Sequence, residues 1–521
     1  MKYYAVKKGK KPGIYQTWDE CKKQTNGFSG AKYKSFNSLS DAEDYLNINH
    51  AQEQSINENT HKQLTRDQQV AYDAMLSGEN VFVTGEAGTG KSFVVNRFID
   101  EMKKKQKNIL VCAPTGIAAI HIGGATIHRC FQASLEPQIN VRIHTAPVCV
   151  QEADIIIIDE ISMCRVDLFD YVVRVIAKAE EISLKRKQLI VIGDFFQLPP
   201  VTTPNDRKVL EKAYPGYRKG FAFESENWKD FHFQVVALKN VKRQNDMNFI
   251  KALNQVRIGN PSSIEYFNAN ASHKLIDKGI ILCARNDVAK KINEEKLNEL
   301  PSRAIVYKAI ISGDVKASDK PTEDELRLKM NARVIVLIND HEGKRYQNGS
   351  LGEIVELNKK GVCVRIDQTQ EVISFSYHEW VVENYDVVKE SINGIDYNRV
   401  EKQKVGSFQQ IPLKLAYAIT IHKSQGQTYD KVNLIPYSFD CGQLYVALSR
   451  VKSIKGLSLL QRMTKEYLIC DEKVKKFYQV DYVDKDALMK KLGEMVFEQG
   501  IQNFYPEAIN QEIMKIKKLL D

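Results

Sequence analysis

The 521-residue chain lacks several features that would assign a protein to a class at once. No apolar run approaches the roughly 20 residues of a membrane-spanning helix, and the N terminus has no apolar core of a secretory signal. The nine Cys residues include no C-x-x-C pair, and no His pair has zinc-ligand spacing. We therefore expect an intracellular protein with reduced, mostly buried thiols, cytoplasmic if bacterial or viral and nuclear or mitochondrial if eukaryotic.

Positive charge is concentrated at the N terminus. The chain has 75 Lys plus Arg against 65 Asp plus Glu, but residues 1–40 alone hold nine Lys and two acidic residues. Aromatic residues stand among these lysines, namely Tyr3, Tyr4, Tyr15, Trp18 and Tyr33. Ammonium groups beside flat rings fit a polyanion such as nucleic acid, whereas the alternative is a small domain whose core these rings form.

Apolar periodicity divides the chain into an α/β protein with several parts. Strand-like runs alternate with helical stretches after residue 63, which is typical of parallel strands with crossover helices. Two such cores are predicted, with strands 234–238 and 414–420 assigned to the second. Short β-patterned pieces with Asn-Gly and Lys-Gly turns indicate a small β-barrel inserted in the second core. The predicted parts are a module at 1–46, a polar linker at 47–63, the first core at 64–232, the second core at 233–302 and 409–465, the insert at 303–408, and a helical segment at 466–521.

A phosphate-binding loop is the most specific motif. Gly85 to Ser92 (GEAGTGKS) satisfies G-x-x-x-x-G-K-[ST], directly after the strand-like VFVT and directly before a helical stretch. Glycines let backbone N–H groups face phosphates, Lys91 reaches the β and γ oxygens, and the Ser92 hydroxyl ligates Mg²⁺. The sequence therefore predicts ATP and Mg²⁺ as cofactors.

Polar residues after two further apolar strands complete this site. Four isoleucines precede Asp159 and Glu160, so both carboxylates belong at the carboxyl edge of a parallel sheet. Asp159 is assigned to Mg²⁺ and Glu160 to the attacking water, while Gln197 is suited to sensing the γ-phosphate. Arg243 and Arg450 fit arginine fingers if the two cores face each other across ATP, or else surface ion pairs.

Seven segments resemble, in order, the motifs of superfamily 1 helicases, and most closely the Pif (petite integration frequency) helicases and their RecD-like relatives. The resemblance covers roughly residues 64–462. The segments are GEAGTGKS, APTGIAAIHIGGATIHRCF, IIIIDEISM, GDFFQLPPV, KRQND, AYAITIHKSQGQT and LYVALSR.

The resemblance implies two RecA-like P-loop domains, an SH3-like β-barrel inserted in the second, and Mg-ATP hydrolysis with 5′-to-3′ movement on single-stranded DNA. It also implies that Gln68 reads adenine. The expected nucleotide-binding residues are Gln68, Gly85, Gly88, Thr89, Gly90, Lys91, Ser92 and Gly426. The residues expected along the DNA path are Thr115, Thr126, His128, Phe131, His422, Lys423, Ser424 and Gln425. The basic segment 340–352 either touches DNA or is a solvated turn.

Residues 1–46 resemble a different family, the N-terminal hybrid-binding module of ribonuclease H that viroplasmin-type proteins share. The matching positions are Tyr4, Trp18, Tyr33 and Lys34, and Ser35 stands where that family often has another basic residue. The resemblance implies binding of RNA/DNA hybrid. The predicted protein is an ATP-dependent 5′-to-3′ DNA helicase, monomeric when free, with a hybrid- or duplex-binding module and a role at R-loops. The alternatives are a DNA-stimulated ATPase that remodels protein–DNA complexes without unwinding, and a non-enzymatic nucleic-acid adaptor.

Overall fold

The computed structural model describes residues 3–36 and 63–479, with gaps at 9, 12, 16, 27, 29–31, 140, 341–344 and 393–394. The chain divides into two compact units near residue 65. The helix predicted near 39–46, nearly all of the linker, and the C-terminal segment beyond 479 lie outside the described residues. No helix in the described ranges is long and apolar enough to span a membrane. All nine cysteines are free and seven of them are buried, as predicted for the thiols.

The described part of the N-terminal module is a three-stranded antiparallel sheet with one helix. Its elements are β1 (Tyr3–Lys8), β2 (Gly13–Tyr15), α1 (Trp18–Thr25) and β3 (Lys32–Phe36), with β1 in the centre of the sheet. Ala5, Val6 and Cys21 are its fully buried hydrophobic residues. Trp18 and Tyr33 are exposed, whereas Tyr3, Tyr4 and Tyr15 are half-buried.

The first core is a six-stranded parallel sheet in the order β6-β5-β7-β8-β4-β9. All four isoleucines of β7 are buried, each contributing about 1.5–3 kcal/mol, as a strand covered on both faces requires. Its strands are β4 (Val81–Gly85), β5 (Ile109–Ala113), β6 (Ala125–Thr126), β7 (Ile155–Ile158), β8 (Gln188–Ile192) and β9 (Gln234–Leu238). Its helices are α2 (Arg66–Leu76), α3 (Lys91–Lys104), α4 (Gly116–His121), α5 (Ile127–Cys130), α6 (Val148–Glu152), α7 (Val166–Ser183), α8 (Pro204–Ala213) and α9 (Asn227–Asp230).

The second core is a four-stranded parallel sheet in the order β21-β10-β22-β23. Its strands are β10 (Ile280–Cys283), β21 (Ala418–Thr420), β22 (Val432–Leu434) and β23 (Leu457–Leu459). Its helices are α10 (Met247–Arg257), α11 (Ser262–Asn270), α12 (Asn286–Glu299) and α13 (Gln443–Leu448). A last described helix, α14 (Glu472–Phe477), follows this core in sequence.

The insert between β10 and β21 contains antiparallel strands in a five-stranded sheet, β17-β16-β15-β14-β20, and two smaller sheets, β11-β13 and β12-β19-β18. The long hairpin formed by β18 and β19 was not predicted. The strands are β11 (Ile305–Lys308), β12 (Ile310–Gly313), β13 (Glu325–Leu328), β14 (Arg333–Val336), β15 (Leu351–Asn358), β16 (Gly361–Ile366), β17 (Val372–Phe375), β18 (His378–Ile392), β19 (Ile395–Gln410) and β20 (Leu413–Leu415).

Two predicted strand assignments are wrong. Strand 234–238 belongs to the first core, because β9 pairs in parallel with β4 over five residues. The predicted strand 414–420 is two strands, and the earlier one, β20, pairs antiparallel with β14 of the insert. The first core therefore extends past 232, and the insert extends past 408.

Candidate nucleotide site and nucleic-acid groove

The phosphate loop connects β4 to α3 at the carboxyl edge of the first sheet. Gly85, Gly88 and Gly90 all have positive φ values, of 141°, 82° and 84°. A Cβ on Gly85 would lie 2.3 Å from the Leu238 carbonyl oxygen, so a side chain is excluded there. Lys91 Nζ donates to the carbonyl oxygens of Gly85 at 2.8 Å and Glu86 at 3.1 Å. The loop is thus a backbone cradle with an ammonium group beside it, which suits phosphate.

Two acidic side chains follow β7, which lies next to β8 and one strand away from β4. Asp159 Oδ1 accepts a hydrogen bond from the Glu160 backbone N–H at 2.8 Å. Burial and then the neighbouring Glu160 raise the pKa of Asp159 to about 7, and burial also raises the pKa of Glu160. The buried Asp159 and the half-buried Glu160 form a donor set that fits a divalent cation. Ser92, which is exposed, is the second residue of α3 and directly follows Lys91.

Gln197 follows β8 at the same sheet edge and is buried. Its backbone N–H donates to the Asp194 carbonyl oxygen at 2.8 Å. Arg257 of α10 donates two hydrogen bonds to the Asp194 carboxylate, from Nη2 at 2.8 Å and from Nε at 3.0 Å. The Arg257 guanidinium also stands 4.4 Å from the centroid of the Phe196 ring. Sequence analysis missed Arg257, because a single Arg in an amphipathic helix carries no motif that would distinguish it.

Contacts from the second core reach this site directly. Gln425 Nε2 donates to Glu160 Oε2 at 2.9 Å, and the Tyr445 hydroxyl accepts the Ala87 backbone N–H at 2.8 Å. Gln425 was expected on the DNA path, so that assignment is corrected: its side chain faces the nucleotide site. Tyr445 was not predicted, although it lies within the LYVALSR segment. The two cores therefore meet at the predicted phosphate loop and acidic pair.

The two predicted arginines lie at this junction. Arg243 Nη1 donates to the Ser449 carbonyl oxygen at 3.0 Å, and a Cβ on Gly88 would lie 2.6 Å from Arg243 Cβ. Arg450 is only 2% exposed and donates to Val446 O and Ser449 Oγ, both at 2.8 Å. Burial and then Arg243 lower the pKa of Arg450. The surface ion-pair alternative does not apply to either residue, because both guanidiniums donate to groups of the second core at its junction with the first.

The adenine-reading residue Gln68 is fully buried against the loop. Its Nε2 donates to the Thr89 carbonyl oxygen at 3.0 Å, and its Oε1 accepts from Lys242 Nζ at 3.5 Å. The amide that was expected to face the base thus contacts the phosphate loop in this structure. Gly426 has a φ of 78°, and a Cβ there would approach only His121 Nε2, at 3.9 Å. His121 lines a groove, so Gly426, which was expected to bind nucleotide, lies beside that groove.

A groove of about 740 Å³ runs between the first core, the second core and the insert. Four of the residues predicted along the DNA path line it: Thr115, Thr126, His128 and Lys423. The two threonine hydroxyls also cap α4 and α5, accepting N–H groups of Ala118 and Arg129 at 3.3 Å. The structure therefore collects residues from distant motifs along one surface.

The remaining path residues are placed elsewhere. Phe131 is fully buried in the first hydrophobic core, so its ring cannot meet a base, and its assignment is wrong. Ser424 is also fully buried and donates to the Ile421 carbonyl oxygen at 2.7 Å, so it too is removed from the path. His422 is half-buried and does not line the groove, and burial lowers its pKa.

The insert contributes groove residues that sequence analysis missed. They are Lys316 and Lys320, together with Trp380 of β18. Lys414 of β20 also lines the groove. No helicase motif contains these positions, and a Lys or Trp in a β-patterned stretch gives no signal of a binding surface. The basic segment 340–352 cannot be assigned as a whole, since 341–344 lie outside the described residues.

The N-terminal module presents the predicted rings at its surface. Trp18 is 43% exposed and Tyr33 is 44% exposed. The Trp18 ring centroid lies 5.7 Å from Tyr4 and 5.6 Å from Tyr33, and Lys34 stands 5.6 Å from the Phe36 ring centroid. The alternative that these rings form the core of the module is therefore not supported.

A phosphate loop, an acidic strand end and two arginines at the junction of two α/β cores, Arg243 on the segment between β9 and α10 and Arg450 after α13, define a P-loop protein with two RecA-like domains. The PIF1-like helicase family profile matches residues 63–265, and that of the ribonuclease H1 N-terminal domain matches residues 2–46. The ATP-dependent DNA helicase Pif1 of Bdellovibrio bacteriovorus is 33% identical over 442 residues, which cover 80% of this chain and 92% of that protein. The chain therefore belongs to the Pif1 helicase family.

Other relatives support the same family assignment. The ATP-dependent DNA helicase PIF1 of Danio rerio is 33% identical over 433 residues, or 77% of this chain, and the matched region spans 61% of that relative. The structure of Bacteroides sp Pif1 in complex with ADP-AlF4 matches with a TM-score of 0.69 at 33% identity, covering 80% of this chain and 96% of that one. Bacteroides Pif1 bound to ssDNA matches with a TM-score of 0.58 at 33% identity, over 80% and 96% of the two chains.

Proposed function

We propose that this protein is an ATP-dependent DNA helicase that moves 5′ to 3′ along single-stranded DNA. The observation that carries the proposal is the contact between Gln425 and Glu160, because it joins the second core to an acidic pair at the nucleotide site. Gln425 lies two residues from both Lys423 and Gln427, which line the groove. A change at the nucleotide site therefore reaches the groove through one short segment.

The side chains of this chain have separable roles in hydrolysis. The loop backbone and Lys91 hold the phosphates, Glu160 orients and deprotonates the attacking water, and Gln197 senses the γ-phosphate side of the site. Arg450 from the second core and Arg243 from the segment between the cores supply positive charge, which favours the transition state when the cores are together. Ser92 and Asp159 would hold Mg²⁺, which supplies charge neutralisation at the phosphates.

Movement follows from alternating grips. Closure and opening of the two cores once in each hydrolytic cycle would shift the first-core and second-core walls of the groove relative to each other. The insert, which we propose to be an SH3-like barrel, forms part of the second wall. A protein that works in this way needs no second copy of the chain, and we propose that it is monomeric when free.

Strand displacement on 5′-tailed and 3′-tailed DNA duplexes, with and without ATP, tests the proposal. We expect unwinding of the 5′-tailed substrate only, in the presence of ATP and Mg²⁺. Lys91→Ala and Glu160→Gln should reduce turnover about 100-fold or more, equivalent to roughly 3 kcal/mol of barrier. ATP hydrolysis stimulated by single strands without strand separation would instead support a translocase that remodels protein–DNA complexes. Absence of any hydrolysis would leave a nucleic-acid adaptor.

We further propose that the N-terminal module binds RNA/DNA hybrid or duplex and directs the helicase to R-loops. The exposed rings of Trp18 and Tyr33, the half-buried ring of Tyr4 beside Trp18, and the exposed Lys34 support this role. Comparison of hybrid and DNA-duplex unwinding by the full chain and by a chain lacking residues 1–50 tests it. A preference for hybrid that disappears with the module is expected, and equal preference in both proteins would refute the R-loop role.

A further inference from the structure

The groove contains one large aromatic side chain that no helicase motif includes. A strand path needs flat rings for stacking as well as phosphate contacts. The sequence offered Phe131 for this purpose, but its ring lies in the first hydrophobic core. Among the described residues that line the groove, Trp380 is the only Phe, Tyr or Trp. It belongs to β18 of the insert.

The Trp380 ring is held in place before any ligand arrives. Trp380 pairs across the ladder with Phe408 of β19, and the two ring centroids are 6.0 Å apart. The His378 ring meets it edge-on, at 4.8 Å and 79°. The indole is half-buried by these neighbours while also lining the groove. A ring fixed in this way loses little rotamer entropy when a base stacks on it.

Charges around Trp380 favour a polyanion. Lys316, Lys320, Lys414 and Lys423 line the same groove. Lys320 pairs with Asp324 and Lys414 with Glu323, whereas Lys316 and Lys423 form no ion pair with any residue in the described part of the chain. The acidic lining residue Asp319 is neutralised by Arg129 at 2.6 Å. The surplus of ammonium groups therefore faces the groove without carboxylates to balance it.

We propose that Trp380 stacks on a base of single-stranded DNA bound in the groove that Thr115 and Thr126 also line. This inference rests on the proposed helicase function and extends it. Stacking accepts any base, because every base has a flat face, so Trp380 provides grip without sequence preference. The hairpin that carries Trp380 is also bonded to the first core, where the Val111 backbone N–H donates to the Tyr385 hydroxyl at 3.3 Å.

Intrinsic fluorescence offers a direct test, since the chain has three Trp residues. In the full chain with Trp18→Phe, the remaining indoles are Trp380 and Trp228, and Trp228 is 8% exposed in the first core. Oligothymidylate of about 16 nucleotides should quench this fluorescence as it binds. Adding Trp380→Phe should abolish the quench while most of the affinity remains, since Phe also stacks.

Affinity and its salt dependence then separate stacking from charge. Trp380→Ala should weaken oligothymidylate binding about 10-fold or more, with an unchanged slope of log affinity against log salt. Lys423→Ala should reduce that slope by about one. Phe439→Ala is the matched control, because Phe439 is 50% exposed and does not line the groove; it should behave as the parent does.

Two results would overturn the inference. Unaltered affinity of Trp380→Ala for the oligonucleotide would do so, as would quenching that persists after Trp380→Phe. If the Trp18→Phe parent neither binds the oligonucleotide nor hydrolyses more ATP in its presence, the proposed function itself fails, and the stacking contact fails with it. A parent that binds normally beside an unaffected Trp380→Ala variant leaves the function standing and rejects the contact alone.

Discussion

Arg243 and Arg450 lie at the same junction but are held by different numbers of acceptors. Arg450 is buried, and besides Val446 O and Ser449 Oγ its Nη1 lies 3.3 Å from the carbonyl oxygen of Gln427. Arg243 is half-buried and donates through one nitrogen to Ser449 O. Arg450 therefore organises the loop that carries Gln425 and Gln427, while Arg243 is the freer guanidinium at the phosphate loop.

Lysine substitution at these two positions should separate folding from catalysis. Arg450→Lys retains charge but leaves buried acceptors unpaired, at about 1–3 kcal/mol for each, so its melting temperature should fall by several degrees. Arg243→Lys should melt like the parent while losing most ATP turnover. Thermal melts together with ATPase rates check this, and an early melt of the Arg243 variant with a stable Arg450 variant would contradict it.

His128, which lines the groove, makes the free energy of unfolding of the protein depend on pH. Burial and then Arg165 lower the pKa of His128, with Lys316 acting in the same direction and Asp167 opposing them. Below the ordinary His pKa of about 6.5, the unfolded chain binds a proton that the folded chain resists, so the free energy of unfolding falls as the pH drops from about 6.5 towards the lowered pKa. His128→Gln should lose less melting temperature than the parent between about pH 7.5 and 5.5. A parallel decline of the two proteins would exclude this role for His128.

At the residue scale, the phosphate loop and acidic pair were predictable because their spacing follows from phosphate chemistry. Phe131, Ser424 and Gln425 were not, because a motif fixes which residues are present but not which side of a short turn each one faces. Phe131 directly follows the four-residue helix α5, and only the packing of that helix determines that its ring points inward. Arg257 and Trp380 had no motif at all.

The helix α14 connects the two cores. It follows the last strand of the second core, yet Phe477 packs on rings of the first core, with centroids 5.4 Å from Phe195 and 4.4 Å from Phe223. The Tyr478 hydroxyl contacts Thr84 Oγ1 at 2.8 Å and accepts the Phe195 N–H at 3.2 Å. Thr84 immediately precedes Gly85, so Tyr478, directly after α14, braces the start of the phosphate loop.

Removal of the Tyr478 hydroxyl should weaken this brace. Tyr478→Phe leaves the Phe195 N–H without its acceptor, which costs about 1–3 kcal/mol, and frees the side chain of Thr84. We expect a lower melting temperature for the first core and a higher KM for ATP. Tyr437→Phe is the control, since Tyr437 is an exposed ring of the second core. Equal KM and melting values for the two variants would show that the brace has no effect.

Element boundaries were predictable where the strand is buried on both faces and not where it lies at an edge. The burial of β9 alternates, with Val235 exposed and Val236 buried, so its composition does not tell which sheet it joins. The split between β20 and β21 depends on pairing with β14, a strand about 80 residues earlier. Neither partner can be read from a local pattern, because parallel neighbours are determined by the crossovers.

The two cores approach each other so closely at Gly442 that no side chain can be added there. Gly442, at the start of α13, has a φ of 72°, and a Cβ there would lie 2.1 Å from the carbonyl oxygen of Gln197. Gly216 has the same φ of 72° but has nothing within 4 Å of such a Cβ. The two glycines therefore share backbone strain and differ only in the approach of the facing core.

Gly442→Ala should push α13 away from the loop that carries Gln197. We expect a loss of ATP turnover of about 10-fold or more, because the charges of the second core would no longer complete the site. Gly216→Ala should cost only the strain of a left-handed alanine, about 1 kcal/mol, with normal turnover. Single-turnover ATP hydrolysis together with thermal melts distinguishes the two, and equal turnover would show that the cores need not approach so closely.

The predicted division into two RecA-like domains matches the structure because each half repeats the alternation of buried strand and amphipathic helix. The arrangement of the two halves was not available from the sequence, because it depends on contacts between residues hundreds of positions apart. Ala87 with Tyr445 and Glu160 with Gln425 are examples.

The packing of α14 on the first core also sets an order of events during protein synthesis. The aromatic cluster around Phe195 cannot be completed until residues 477 and 478 have left the ribosome, after the entire second core. A nascent fragment that ends before them lacks the Tyr478 hydroxyl that contacts Thr84 Oγ1 and the Phe195 N–H. We therefore expect that truncated translation products do not hydrolyse ATP. The cell then contains no incomplete chain that hydrolyses ATP without being able to move along DNA.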